Sequence, residues 1–133
     1  MIRDYKEKDF LFGEENFDEE MATRVKPLLE KVVEGNFLGY DNKKIHYYYL
    51  KNEEEKASVV ISHGFCEFFP KYHELMYYFY EVGYSVFYIE HRGHGYSYRE
   101  TKDLDRVHAT RFQSYVDDLK IFVDQVVKEI STS

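Results

Sequence analysis

Residues 57–97 read ASVVIS-HGFCEFFP-KYHELMYYFYEVG-YSVFYIE-HRGHGYS. The opening run, Ala57 to Ser62, is almost wholly apolar and does not alternate, as expected of a strand covered on both faces in a parallel sheet. Tyr84 to Glu90 is a second run of that kind. Between them, Lys71 to Val82 places Tyr72, Leu75, Met76 and Phe79 on one helical stripe, and Gly83 follows as its stop. A strand, a helix and a strand of these lengths predict a right-handed crossover between parallel neighbours. The fold class is therefore α/β.

Working outward, the stretch before the crossover predicts a hairpin. NFLGY (36–40) and KIHYYYL (44–50) are aromatic-rich runs joined by Asp41, Asn42 and Lys43. In the second run Ile45, Tyr47 and Tyr49 share one face. Lys44, His46 and Tyr48 share the other, which is expected to be the wetter side. Upstream, Asp18 to Glu34 reads as a helix with Met21, Val25, Leu28, Leu29, Val32 and Val33 on one face. Pro27 would start a second piece of that helix or kink it, and Gly35 would end it. Residues 1–17 read as a charged, loosely ordered arm. Downstream, His91 to Ala109 is a long loop. Thr110 to Ile130 is the clearest helix, with Thr110 and Gln113 spaced as a capping box. Its apolar stripe holds Phe112, Tyr115, Val116, Leu119, Phe122, Val123, Val126, Val127 and Ile130. Ordering so long a helix costs more than its own side chains return, so it needs the sheet beneath it. The expected organisation is an N-terminal arm and helix over 1–34 and an α/β unit over 35–133.

The 133 residues fit one domain with a real core: 44% are apolar and 19% aromatic, a composition unlike that of disordered chains. Acidic residues outnumber basic ones 25 to 18, a net charge of −7 that argues against nucleic acid or an anionic membrane as the main partner. The single cysteine, Cys66, allows no internal disulfide and suits a reducing compartment. The N-terminal stretch does not read as a signal peptide, and no run approaches the ~20 apolar residues of a membrane span. A cytoplasmic location is expected.

Two loops carry the chemistry, and each leaves the C-terminal end of a buried strand, the edge where open α/β sheets bind ligands. The first is Ser62-His63-Gly64-Phe65-Cys66-Glu67. Its glycine allows a sharp turn, and the backbone N–H of Phe65 is placed to face a developing oxyanion in acyl transfer. The bland alternative is an ordinary turn out of a strand. The second is Glu90-His91-Arg92-Gly93-His94-Gly95-Tyr96-Ser97. A phosphate loop would need a helix to start there, with Lys-Ser/Thr or a third spaced glycine, and neither is present.

Together the loops resemble the α/β-hydrolase superfamily, in its lysophospholipase and monoacylglycerol-lipase branch. VVISHGFCE looks like the branch's strand and oxyanion loop, and YSVFYIEHRGHGYS like its next strand and Asp/Glu-x-Arg-Gly-x-Gly-x-Ser turn. The likeness covers about residues 35–131 and includes the hairpin and the helix after Pro70. It implies an incomplete α/β-hydrolase sheet and a serine esterase or lipase acting through Ser, Asp and His on monoacylglycerols or lysophospholipids. No cofactor or metal is implied. On this reading the chain holds one catalytic contributor, the Phe65 N–H, with His63 and Gly64 shaping the oxyanion loop. Arg92, Gly93, His94 and Gly95 form a structural turn near the site. Cys66 departs from the small residue usual at its place.

The fold's nucleophile sits in Gly-x-Ser-x-Gly between a strand and a helix. Gly83-Tyr84-Ser85-Val86-Phe87 and Gly95-Tyr96-Ser97-Tyr98-Arg99 each lack the second glycine. In the family that strand follows the helix ending here near Ile130, so nucleophile, acid and base are expected to lie outside this chain, which should be inactive alone. His46, His63, His73 and His94 have ordinary structural readings, and His91 and His108 have no partner legible in sequence. None has metal-site spacing. Cys66 as nucleophile would need an activating base. The alternatives are an α/β-hydrolase with an Asp nucleophile (epoxide or haloalkane hydrolysis), a non-enzymatic interaction fragment, and a small binding module. In the family the strand matching ASVVIS is an inner one, so here it should present a bare edge that invites self-association.

Overall fold

The computed structural model describes Glu19, residues 21–64, Glu67, and residues 69–99 and 112–132. A π-helical turn, Met21–Val25, runs into the short helix α1 (Lys26–Leu29). Strands β1 (Val33–Leu38) and β2 (Lys44–Leu50) follow, then β3 (Ala57–Ser62), helix α2 (His73–Val82) and β4 (Tyr84–Glu90). Helix α3 (Gln113–Phe122) continues through a π-helical turn, Val123–Val127, into α4 (Lys128–Ile130).

The four strands form one sheet in the order β1-β2-β4-β3. β1, β2 and β4 pair antiparallel in turn, and β3 pairs parallel with β4, so the expected hairpin and crossover are both present. The unbroken apolar run of β4 is accounted for by its two faces. Val86 and Tyr88 join Val25, Leu28, Tyr48, Leu50, Ile61, Met76 and Tyr77 in a core on the α2 side. Phe87 and Ile89 join Phe37, Ile45, Phe122, Val126 and Val127 in a second core under the C-terminal helix. Each large apolar side chain so buried stabilises by about 1.5–3 kcal/mol before its loss of conformational freedom is counted.

Several expectations need correction. The first helix does not reach Glu34: it ends at Leu29, and Val33–Leu38 is strand. Gly35 is not a helix stop. It pairs with Tyr47 across β1 and β2, and a Cβ on it would lie 2.6 Å from the Tyr47 hydroxyl. Pairing with an aromatic strand overrides the local helical pattern here. Pro27 stands in the first turn of α1, where its missing N–H costs nothing. On the face of β2 expected to be wetter, Lys44 is exposed but the rest is covered. His46 is 6% exposed beneath Tyr96, and Tyr48 is 8% exposed, its ring stacked 3.7 Å from that of Phe69.

β3 is an edge strand among the described residues, and only Ile61 in it is buried, so it is covered less than its composition predicts. On the helices, Leu75 and Phe112 lie exposed although they share the predicted stripes, and Tyr77 is buried instead of Leu75. Thr110 lies outside the described residues, and with it the capping box.

Candidate functional site

β3 and β4 run parallel with Ser62 opposite Ile89, so the loops leaving Ser62 and Glu90 emerge side by side at one edge of the sheet. Their side chains interlock. The backbone N–H of His91 donates to Nε2 of His63 at 2.9 Å, and Nδ1 of His63 lies 2.7 Å from the carbonyl of Gly64. The Ser62 hydroxyl meets Nε2 of His91 at 2.7 Å. The ring of His63 contacts those of His94 and His91 at centroid distances of 4.4 and 4.9 Å, and lies over Tyr88. All three histidines are buried.

Burial away from water disfavours the charged imidazole. It holds the pKa of His63 and His94 below the usual histidine range, chiefly by desolvation. His91 is pushed down to about 3 by desolvation and then by its two histidine neighbours. Its Nδ1 has no hydrogen-bond partner among the described residues. On the other side of the first loop, Glu67 accepts the N–H of Gly64 at 3.0 Å, and Lys71 lies 3.3 Å from the same carboxylate. Hydrogen bonds from Tyr72 and then Lys71 hold Glu67 below the usual carboxylate range.

The second loop is a tight turn built around Glu90. That carboxylate is 5% exposed and accepts the N–H of Tyr96 at 2.7 Å, and desolvation raises its pKa. Gly95 has φ +47, and a Cβ there would run into the Glu90 carboxylate. Gly93, at φ +82, donates its N–H to the Tyr98 carbonyl at 2.7 Å. Arg92 turns inward, 2% exposed, and binds Asp118 of α3 through Nε and Nη2 at 2.8 and 2.9 Å. Nη2 also donates to the Tyr40 carbonyl at 3.1 Å, and Asp118 accepts the Tyr40 N–H at 2.8 Å. The turn, the hairpin tip and the C-terminal helix thus meet at one buried ion pair.

The structure brings His63, Gly64, Arg92, Gly93, His94 and Gly95 to one edge of the sheet; Phe65 and Cys66 lie outside the described residues. The two serines of the incomplete motifs hold backbone. Ser85, at the opposite end of β4, accepts the N–H of Asn52 at 2.8 Å. Ser97 accepts the N–H of His46 at 2.8 Å and donates to the Glu90 carbonyl.

Ser62 and His91 have the separation of a nucleophile and its base. Burial lowers the proton affinity of His91, and among the described residues no acid meets its other nitrogen, so it is a weak base for a serine proton at neutral pH. His46 is buried, with Asn36 at 2.7 Å and Glu34 at 3.3 Å. Among the described residues no group of His, Cys, Asp and Glu is arranged to hold a metal ion, and no helix is long and apolar enough to cross a membrane.

Sequence reading missed Asp118 and the partners of His91. Asp118 could have been found. It lies three residues after Tyr115 and four before Phe122, so the apolar stripe itself carries a carboxylate, and a charge on a buried stripe requires a partner.

The sequence pattern of the family described as "Serine aminopeptidase, S33" matches residues 53–133. Lysophospholipase L2 of Escherichia coli strain K12 is 37% identical over 95 residues, which cover 71% of this chain and 28% of that protein. A Haemophilus influenzae protein named "Probable lysophospholipase L2" is 32% identical over 109 residues, 80% of this chain and 34% of its own length. The chain thus spans about a third or less of the curated relatives it matches. Among solved structures, the Pyrococcus furiosus esterase Pf2001 superposes with a TM-score of 0.51 at 17% identity, over 97% of this chain and 43% of that one, a likeness of fold. Because the family pattern covers residues 53–133, more than half of the chain, the chain belongs to the serine aminopeptidase S33 family of α/β-hydrolases, on the branch that holds the lysophospholipases.

Proposed function

We propose that this chain is the oxyanion side of a carboxylic ester hydrolase acting through a serine acyl-enzyme on lysophospholipids or monoacylglycerols. The observation that carries the reading is the tie between the two loops, the His91 N–H held by the His63 ring. The relatives named lysophospholipase point to the same chemistry and do not favour an Asp-nucleophile hydrolase.

In this reading a serine from polypeptide C-terminal to these residues attacks the ester carbonyl, and the carbonyl oxygen becomes an oxyanion. The backbone N–H of Phe65 donates to it. Preorganised donors of this kind contribute about 3–4 kcal/mol each to transition-state stabilisation. His63 and Gly64 shape that loop, and the turn of Arg92, Gly93, His94 and Gly95 braces it. The alcohol then leaves, and water releases the fatty acid. The lone cysteine agrees with a cytoplasmic location.

The test is fatty-acid release from lysophosphatidylcholine and from a monoacylglycerol by the longer protein encoded in frame with these residues. Turnover abolished by a serine-directed phosphonate is expected. Absence of ester turnover, or turnover indifferent to the phosphonate, would refute the reading.

A further inference from the structure

The hydrogen bonds of His63 settle where its proton sits. A backbone N–H only donates, and a carbonyl only accepts. Nε2 takes the His91 N–H at 2.9 Å and therefore carries no hydrogen. Nδ1 faces the Gly64 carbonyl at 2.7 Å and therefore carries one. The ring is neutral and in a single tautomer. It grips the loop after β3 at one nitrogen and the end of β4 at the other.

We propose that His63 is the positioning residue of the β3 loop, and that it latches this loop to the end of β4 only while its ring is neutral. A second proton would sit on Nε2, where it faces the His91 N–H, donor against donor. The surroundings give that proton little compensation. From the β4 side the ring meets Tyr88, His91 and His94, with Arg99 opposing a positive charge on His94 and Arg92 neutralised by Asp118. From α3, Tyr115 packs on His91. From its own loop, the Glu67 carboxylate favours the proton, yet it is engaged by Gly64, Tyr72 and Lys71. The balance lowers the proton affinity of the ring, and desolvation is the largest cause.

The Gly64 carbonyl belongs to the peptide unit whose N–H is the proposed oxyanion donor. A planar peptide moves as one piece, so holding the carbonyl orients the whole unit. That consequence rests on the ester-hydrolase reading, and the latch itself does not. In an active longer protein, acid would disarm the oxyanion loop separately from protonating the catalytic base.

The experiment uses the 15N-labelled chain. The ring 15N pattern of His63 and the hydrogen-exchange protection of the His91 amide are followed from about pH 7.5 to about pH 5, corrected for intrinsic exchange, with the Phe87 amide as core reference. A ring protonated only at Nδ1 is expected at the upper end. The His91 protection should fall by about tenfold per pH unit below about pH 6.5, where the opened loop takes up the His63 proton, with the Phe87 amide remaining the better protected of the two. His63→Gln, which keeps a donor and an acceptor but does not titrate, should hold the His91 protection level with that of Phe87 throughout. An Nε2-protonated ring at neutral pH overturns the proposal. So does a wild-type His91 amide that tracks Phe87 over the whole range, or a pH dependence that survives in His63→Gln. The wild-type readings stand even if the variant does not fold. A failure of the ester-hydrolase reading would appear as absent turnover in the longer protein and leave the ring pattern unchanged.

Discussion

Asp118 receives both Nε and Nη2 of Arg92, at 2.8 and 2.9 Å, with the two side chains 0% and 2% exposed. The pair clasps the turn after β4 to a helix that begins more than twenty residues later. Removing one partner leaves a buried charge without its counterion, which costs about 3–5 kcal/mol. Asp118→Ala should lower stability by that much in urea denaturation followed by circular dichroism. The double variant Arg92→Met with Asp118→Leu should lose less than Asp118→Ala alone. A single variant within about 1 kcal/mol of wild type would show that the pair is not held as described.

Gly95 occupies the left-handed region, and its missing Cβ is the space the Glu90 carboxylate fills. Gly95→Ala should cost roughly 1–2 kcal/mol in backbone strain. It should also displace the acceptor of the Tyr96 N–H. Thermal unfolding of the variant measures the first effect, and loss of Tyr96 amide protection reports the second. An unchanged melting temperature would contradict both.

Stability should fall as pH drops below the ordinary histidine pKa. His63, His91 and His94 bind a proton less readily in the folded chain than in the unfolded one, because burial lowers their proton affinity. The unfolded chain binds those protons below about pH 6.5, so it is favoured there, and the stability is fully present only above that point. Each histidine removes about 1.4 kcal/mol per pH unit until its folded form also titrates. Glu90, whose pKa is raised, opposes the trend at lower pH. Denaturant midpoints between about pH 7.5 and about pH 5.5 should decline, and His91→Phe should flatten the slope. A midpoint constant over that range would disprove the assignment of neutral histidines.

The chain by itself should not turn over a short-chain aryl ester or react with a serine-directed phosphonate. Among the described residues Ser62 is the serine at the site edge with a histidine in reach, and that histidine is a weak base. Mass spectrometry after phosphonate treatment should show unmodified protein. An adduct, above all one lost in Ser62→Ala, would reverse this conclusion.

β3 offers an unpaired, largely apolar edge among the described residues. Such edges template pairing with another chain. Light scattering should therefore show self-association at tens of micromolar, reduced by Val60→Lys. A monodisperse monomer at that concentration would count against the edge as a contact surface.

The elements of this protein were legible because their signals are local. Two apolar runs without alternation gave the parallel strands, a glycine marked the end of α2, and the hairpin lay between turn residues. The errors came where contact overrode periodicity. Val33 and Glu34 continue a helical pattern, yet they pair with Tyr49 and Tyr48 of β2. His46 and Lys44 share a face, but Tyr96 arrives from a distant loop to cover the histidine. Leu75 and Tyr77 exchanged roles because the stripe of a short helix shifts with the residues it meets.

The sequence by itself determined the order of strands and helices, the position of both loops at the C-terminal ends of neighbouring strands, and the family. Backbone propensity and hydrophobic period are properties of adjacent residues, and they set these features. Only the tertiary structure decided which nitrogen of His63 carries the proton, which carboxylate neutralises Arg92, and that three histidines lie in ring contact. Those facts depend on atoms brought together from separate loops, where exclusion of water makes each unpaired donor or charge costly enough to select one arrangement.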